Sequence, residues 1–163
     1  MEKLHEGHRD EVYGFLRRLL GDRQLAEDVL QETFFRVYLH LDRCDPEQSF
    51  RSWLYEIARN VAIDALRRRT LEKKVPGKAE EKEKSPSGTF DLRERTALTR
   101  ATLEELPVET RALLLERHGL GLSLPELARS HGCSTRTVTN RLRAAADAFV
   151  KALVRRREEG GAK

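Results

Sequence analysis

The stretch SLPELARSHGCSTRTVTNRLR, residues 123–143, decides the architecture of the second half of the chain. Ser123 and Glu126 are spaced as a capping box around Leu124-Pro125, where proline is tolerated in the first helical turn. Gly132 permits a sharp turn, and Ser134 can cap a second helix. Cys133 and Val138 then occupy the N′ and N4 positions of a hydrophobic staple. Small Ala128 lets the two helices approach, and Leu127, Val138 and Leu142 fill the space between them. The pattern predicts a helix-turn-helix, whose second helix enters a DNA major groove by its N-terminal residues.

On that second helix Val138, Leu142 and Ala145 point inward, leaving Thr135, Arg136, Thr139, Asn140 and Arg143 outward. Arg pairs with guanine and Asn with adenine through two hydrogen bonds each, while Thr and Arg also hold phosphates. A solvated face on an ordinary helical hairpin would carry similar residues. Cap, glycine, staple and outward Arg and Asn agree with one another, and that favours DNA. His131 and Cys133 stand where aliphatic side chains would pack better.

Working outward, Glu109 to His118 reads as a helix stopped by Gly119-Leu120-Gly121, and Phe90 to Leu106 as another, ended at Pro107. The helix that carries Arg136 and Asn140 continues into Arg155-Arg156-Arg157 and a Gly160-Gly161 tail. Further upstream, residues 72–89 read EKKVPGKAEEKEKSPSGT. Such a segment cannot bury enough apolar surface to offset its ordering entropy, so it is expected to be a flexible linker. Taken as residues 73–90 it has 18 residues and a reach of about 60 Å, at ~3.3 Å each.

The first half is helical too. Val12, Phe15, Leu16, Leu19 and Leu20 recur at helical spacing before Gly21. Asp22 can cap a second helix with the stripe Leu25, Ala26, Val29, Leu30, Thr33, Phe34, Val37 and Tyr38. After the turn Asp42 to Gln48, Ser49 can cap a third, with the stripe Phe50, Trp53, Leu54, Ile57, Ala58, Val61, Ala65 and Leu66. Nothing alternates with period two. The expected fold is all-α: two small helical domains, residues 1–72 and 91–163, joined by the linker at 73–90.

The 163 residues carry 31 Lys and Arg against 27 Asp and Glu, a formal net charge of +4. Residues 1–72 hold 12 basic and 14 acidic side chains, and residues 91–163 hold 14 and 10. Such asymmetry suggests two bodies with different partners. No run approaches the roughly 18 apolar residues of a membrane span, and Met1 to His5 lacks the apolar core of a secretory signal. Cys44 and Cys133 stand too far apart for a CxxC pair, so a zinc knuckle and a disulfide framework are not expected, and the chain reads as cytoplasmic.

Two further constellations stand in the first half. Glu56, Asn60, Asp64 and Arg67 share one face of the third helix, which ends in Arg67-Arg68-Arg69. The helix dipole alone accounts for arginines there; with Trp53, Tyr55 and Phe50 nearby, the set would also suit single-stranded DNA. Glu27, Asp28, Gln31 and Glu32 crowd the start of the second helix, either to complement its dipole or to dock a basic helical partner. Catalytic readings fare badly. None of the ten glycines forms a phosphate loop, His5-Glu6-Gly7-His8 lacks the spacing of a zinc protease, and no nucleophile stands with its base. An enzyme, a metal site and a cofactor are not expected.

Two blocks, AEDVLQETFFRVYLHLDRCDPEQSFRSWLYEIARNVAIDALRRR (26–69) and LEELPVETRALLLERHGLGLSLPELARSHGCSTRTVTNRLRAA (103–145), resemble the bacterial extracytoplasmic-function (ECF, group IV) sigma factors of the sigma-70 family. The resemblance implies that residues 1–72 form sigma region 2 and residues 91–163 region 4. It further implies a protein that binds core RNA polymerase at the β′ clamp helices and β flap, recognises promoter DNA and helps to melt it. Asp28, Gln31, Glu32, Phe35 and Arg36 match the segment that docks on the clamp helices. Arg43, Asp45, Gln48 and Ser49, with Asn60, Asp64, Arg67 and Arg68, match the reader of the −10 element, where a flipped base enters a pocket. Thr135, Arg136, Thr137, Thr139, Asn140, Arg141 and Arg143 match the −35 reader; Thr139 and Ala146 stand where the family commonly has basic residues. An anti-sigma factor as regulator and a monomeric free state are also implied. The two promoter elements lie about two helical turns apart, roughly 70 Å, which two helical bodies on a tether can span. The residues alone leave room for a helix-turn-helix regulator that acts without polymerase.

Overall fold

A computed structural model describes residues 2–46, 48–72 and 90–161, all of whose regular elements are helical. Helix α1 (Glu2–Leu20) buries Val12, Phe15, Leu16 and Leu19, and ends where Gly21 turns with φ 73° and donates to the Arg17 carbonyl. Asp22 caps α2 (Arg23–Leu39) by accepting from the Leu25 N–H at 3.0 Å. Its second oxygen takes a hydrogen bond from Arg69 at 2.8 Å, tying the start of α2 to the end of α3 (Phe50–Glu72). Burial raises the Asp22 carboxyl, but the Leu25 N–H and Arg69 outweigh it and hold it below 3.8. Between α2 and α3 a short 3₁₀ turn, Leu41–Arg43, carries the chain around, and Ser49 accepts from the Ser52 N–H at the head of α3.

The three helices form a bundle around Phe15, Leu16, Leu54, Tyr55 and Val61, with Phe15 and Tyr55 edge-on at 5.4 Å. Two departures from the sequence pattern stand out. Tyr38, counted in the apolar stripe of α2, is 65% exposed, while its neighbour Val37 takes the core side of the helix. Conversely, Ser52, Tyr55, Arg59 and Ala62, none of them in the apolar stripe of α3, are all buried. Spaced at i, i+3, i+7 and i+10, they widen the buried side of α3: Tyr55 meets Phe15 of α1, while Arg59 reaches Glu116 and Ser130 of the other half.

That half consists of α4 (Phe90–Glu105), α5 (Val108–Leu114), α6 (Leu124–Ser130) and α7 (Thr135–Gly161). Phe90, where the expected linker and the expected helix from Phe90 overlap, opens α4; the rest of the expected linker, 73–89, lies outside the described residues. The helix expected over Glu109–His118 is two pieces. Helix α5 stops at Leu114, and a wider π-helical turn, Leu115–Gly119, follows, closed by the Leu120 N–H on the Leu115 carbonyl. This turn directs Glu116 inward, where it is fully buried. Arg111 is buried as well and satisfies carbonyls that helix ends leave open: those of Leu103, Glu104 and Leu106 at the end of α4, and that of Leu19 at the end of α1.

The two halves are in contact. Ala112 and Leu115 belong to the same apolar cluster as the core of α1–α3, with Leu103, Val108 and Leu120 packed against it. A second cluster of Leu113, Leu122, Leu127, Ala128 and Val138 sits under the α6–α7 pair, and a third, of Leu106, Leu114 and Ala145, joins α4 and α5 to α7.

Candidate nucleic-acid interface

The helix-turn-helix forms as its sequence predicts. The Ser123 hydroxyl accepts from the Glu126 N–H, and Glu126 accepts from the Ser123 N–H at 2.8 Å, which completes the capping box. The Ser123 N–H and hydroxyl hold the Glu126 carboxyl below its ordinary 4.5. Gly132 makes the turn with φ 59°, a conformation in which a Cβ is strained. Ser134 accepts from the Thr137 N–H at 3.1 Å at the head of α7. Val138 is fully buried with Cys133 packed beside it, so the staple closes.

Of the residues expected to read the −35 element, Thr135, Arg136, Asn140, Arg141 and Arg143 are exposed on α7, while Thr137 and Thr139 are half-buried. Thr137 faces the Ser134 hydroxyl at 2.9 Å and Thr139 donates to the Thr135 carbonyl, so both hydroxyls are engaged within the helix start. Arg141 reaches back to within 3.9 Å of the Cys133 sulfur. Arg136, Asn140 and Arg143 therefore present the open donors of this face.

The residues expected to read the −10 element come from α3 and the loop before it. Asn60, Asp64, Arg67 and Arg68 are exposed along one side of α3. Arg67 lies 3.9 Å from Asp64 and 3.3 Å from Glu109 of α5. In the loop, Arg43 and Asp45 are exposed. The Gln48 amide donates at 3.5 Å to both the Ser52 hydroxyl and the Glu56 carboxylate, and Ser49 is used as a cap. Trp53 lies in the core beneath, 6.0 Å from Phe50.

The acidic face of α2 gains an apolar partner that the sequence pattern hid. Asp28 and Gln31 are exposed, Glu32 is half-buried and pairs with Arg36 at 2.7 Å, and Phe35, Tyr38 and Leu39 are all more than half exposed. Exposed aromatic and aliphatic side chains beside carboxylates make a surface suited to a basic protein partner.

What sequence reasoning missed is the junction between the halves. Arg59, the neighbour of Asn60, turns inward and donates to Glu116 at 2.9 Å and to the Ser130 carbonyl at 2.7 Å. The Nε2 of His131 lies 2.9 Å from Arg59 and 2.6 Å from Glu116. The helix of the expected −10 reader is thereby bonded to the turn of the helix-turn-helix. Alongside, Arg51 lies over the Tyr55 ring and donates to the Leu120 carbonyl at 2.9 Å. Burial and the Glu11 carboxylate push the Tyr55 phenol up to about 12. Among the described residues no His, Cys, Asp and Glu side chains cluster as a cation site, and no helix is long and apolar enough to cross a membrane.

Comparison with known proteins agrees with this architecture. Residues 4–72 match the Sigma-70 region 2 family and residues 96–148 match Sigma-70, region 4. The chain is 32% identical over 147 residues to the ECF RNA polymerase sigma factor SigL of Mycobacterium tuberculosis, covering 87% of this chain and 82% of that protein. It is 38% identical over 72 residues to SigM of Bacillus subtilis; this covers 44% of the chain and spans less than half of SigM's length. Among solved structures, the sigma factor RpoE in complex with the anti-sigma factor NepR from Bartonella quintana superposes with a TM-score of 0.74 at 20% identity, covering 93% of this chain and 95% of that one. With both regions matched in order and the helix-turn-helix formed in the second, the chain belongs to the ECF sigma factors of the sigma-70 family.

Proposed function

We propose that this chain acts as an ECF sigma factor: it docks on core RNA polymerase through α2, reads the −10 element with α3 and its preceding loop, and reads the −35 element with the start of α7. One observation carries the proposal: a single chain presents two separate nucleic-acid-type faces, one on a formed helix-turn-helix and one on an Asn/Asp/Arg helix face, beside an acidic and aromatic protein-docking face. In the first step, Asp28, Gln31, Glu32, Phe35 and Arg36, joined by Tyr38 and Leu39, bind the basic clamp helices of the polymerase. In the second, Arg136, Asn140 and Arg143 engage the −35 major groove, with Thr135, Thr137, Thr139 and Arg141 near the backbone. In the third, Asn60, Asp64, Arg67 and Arg68 with Arg43, Asp45, Gln48 and Ser49 hold melted −10 DNA. The cost of unstacking, a few kcal/mol, is offset by contacts that exist only with the flipped base.

The chain performs no chemistry of its own on this reading and needs no metal or cofactor; the polymerase supplies catalysis. It works as a monomer when free, in the bacterial cytoplasm where the polymerase works. An anti-sigma factor regulates it, as the similarity in fold to a sigma factor solved with NepR suggests. Run-off transcription tests the proposal. Purified chain with core polymerase is expected to yield promoter-dependent transcripts from duplex DNA of its own genome. Tight sequence-specific binding of the chain alone, with no transcript from any such promoter, would replace it with a regulator that ignores polymerase.

A further inference from the structure

The buried ionic cluster at the junction has no part in reading DNA, yet it joins the two DNA-reading halves. Arg59 and Glu116 stand 57 residues apart, with side chains 7% and 1% exposed. Four other arginines cross the same junction: Arg51 to the Leu120 carbonyl, Arg67 to Glu109, Arg100 to the Gly21 carbonyl at 3.2 Å and Arg111 to the Leu19 carbonyl at 2.6 Å. Beside this polar set the second half contributes Ala112 and Leu115, with the partly buried Leu103, Val108 and Leu120, to the shared apolar cluster. Junctions of this polar character separate readily, since water replaces each hydrogen bond when they open.

Geometry makes separation necessary. Arg59 is bonded to Ser130 and His131, and these lie just before α7 begins at Thr135. The expected −10 and −35 readers are therefore held side by side, whereas two helical turns of DNA place their targets roughly 70 Å apart. The chain in this arrangement cannot occupy both.

We infer that the Arg59–Glu116–His131–Ser130 cluster is an internal latch, which holds the free chain closed and must open before the chain can span a promoter. This rests on the sigma-factor reading above. A buried ion pair suits such a device. Both charges are compensated when closed and hydrated when open, so the state penalised by loss of one partner is the closed one. Docking on polymerase selects the open form, and the closed population lowers the apparent affinity by the fraction that is open.

The test uses the full chain in solution. Small-angle scattering of the unaltered protein is expected to give a radius of gyration near that of a compact body of this length, about 15 Å. Glu116→Gln removes one charge while keeping shape, and is expected to expand the chain beyond roughly 20 Å with unchanged helix content by circular dichroism. It should also tighten core-polymerase binding, by about tenfold if nine in ten free molecules are closed. The pair Arg59→Met with Glu116→Leu replaces the ions by apolar groups and should restore compactness. If Glu116→Gln proves unfolded, His131→Ala serves as the second opening variant.

An extended unaltered chain overturns the latch, as do a folded Glu116→Gln chain and a folded His131→Ala chain that both stay compact with unchanged polymerase affinity. Expansion of the variants without any polymerase binding by any form leaves the latch standing and removes the sigma-factor reading. Transcription together with unresponsive compactness does the reverse.

Discussion

Asn60 and Arg59 are neighbours in sequence and face opposite worlds, one toward solvent and the other into a buried cluster. Exposure leaves the Asn60 amide free to address a base edge, so Asn60→Ala is expected to impair strand opening or change −10 choice while the fold is retained. Permanganate footprinting of the −10 region checks this, and an unaltered −10 preference would exclude base reading by Asn60. On the other face, Arg136→Ala or Arg143→Ala should cost about 1–3 kcal/mol at the −35 element if the side chain reads a base. If it only holds phosphate, binding should weaken equally on all sequences and the salt slope should fall. Competition between promoter and scrambled duplexes separates the two. His131 stands where an aliphatic side chain would pack better, yet its ring lies against Glu116 and Arg59. Its polarity answers a charge that arrives from 72 positions away.

Helices reflect their own local rules closely. The capping box at Ser123 and Glu126, the staple of Cys133 with Val138 and the Gly132 turn involve residues only a few positions apart, so spacing alone predicts them. A pH dependence follows for this element. The folded Glu126 carboxyl lies below 4.5, lowered first by the Ser123 N–H, so the unfolded chain binds its proton at higher pH. The contribution of the cap is complete above the unfolded value and disappears as pH falls through the folded one. Amide exchange at the start of α6 should therefore accelerate on going from about pH 6 to about pH 3 relative to that at Val138. Ser123→Ala should remove most of this difference and about 1 kcal/mol of stability. Where an element departed from expectation, a second neighbour was the cause. Tyr55 is buried because Phe15 of α1 meets it, Arg59 because Glu116 and Ser130 of the other half do, and Glu116 itself lies inward on the π turn. Tyr38 lies outside because at the end of α2 Val37 and Leu41 face the core and leave it on the opposite side.

For the whole molecule, the acidic and aromatic face of α2 is the test of partnership. Asp28→Lys is expected to weaken core-polymerase binding in pull-down or titration. Thermal stability should change by no more than about 0.5 kcal/mol, since the residue is exposed and no ion pair is lost. Unchanged polymerase affinity would move the docking surface elsewhere. At this scale the contributions of sequence and tertiary structure divide cleanly. The sequence by itself determined the all-helical class, most helix starts and stops (the π turn after Leu114 excepted), the helix-turn-helix and the outward Thr135, Arg136, Asn140 and Arg143 of α7. All of these depend on contacts within a turn or two of helix, where spacing is geometry. Only the tertiary structure decided that the halves lie against each other, that Arg59 and Glu116 are buried together, and that Phe35, Tyr38 and Leu39 form one exposed patch. Pairings across 57 or more residues depend on which faces remain unsatisfied after each helix has formed, and no periodicity along the chain encodes that.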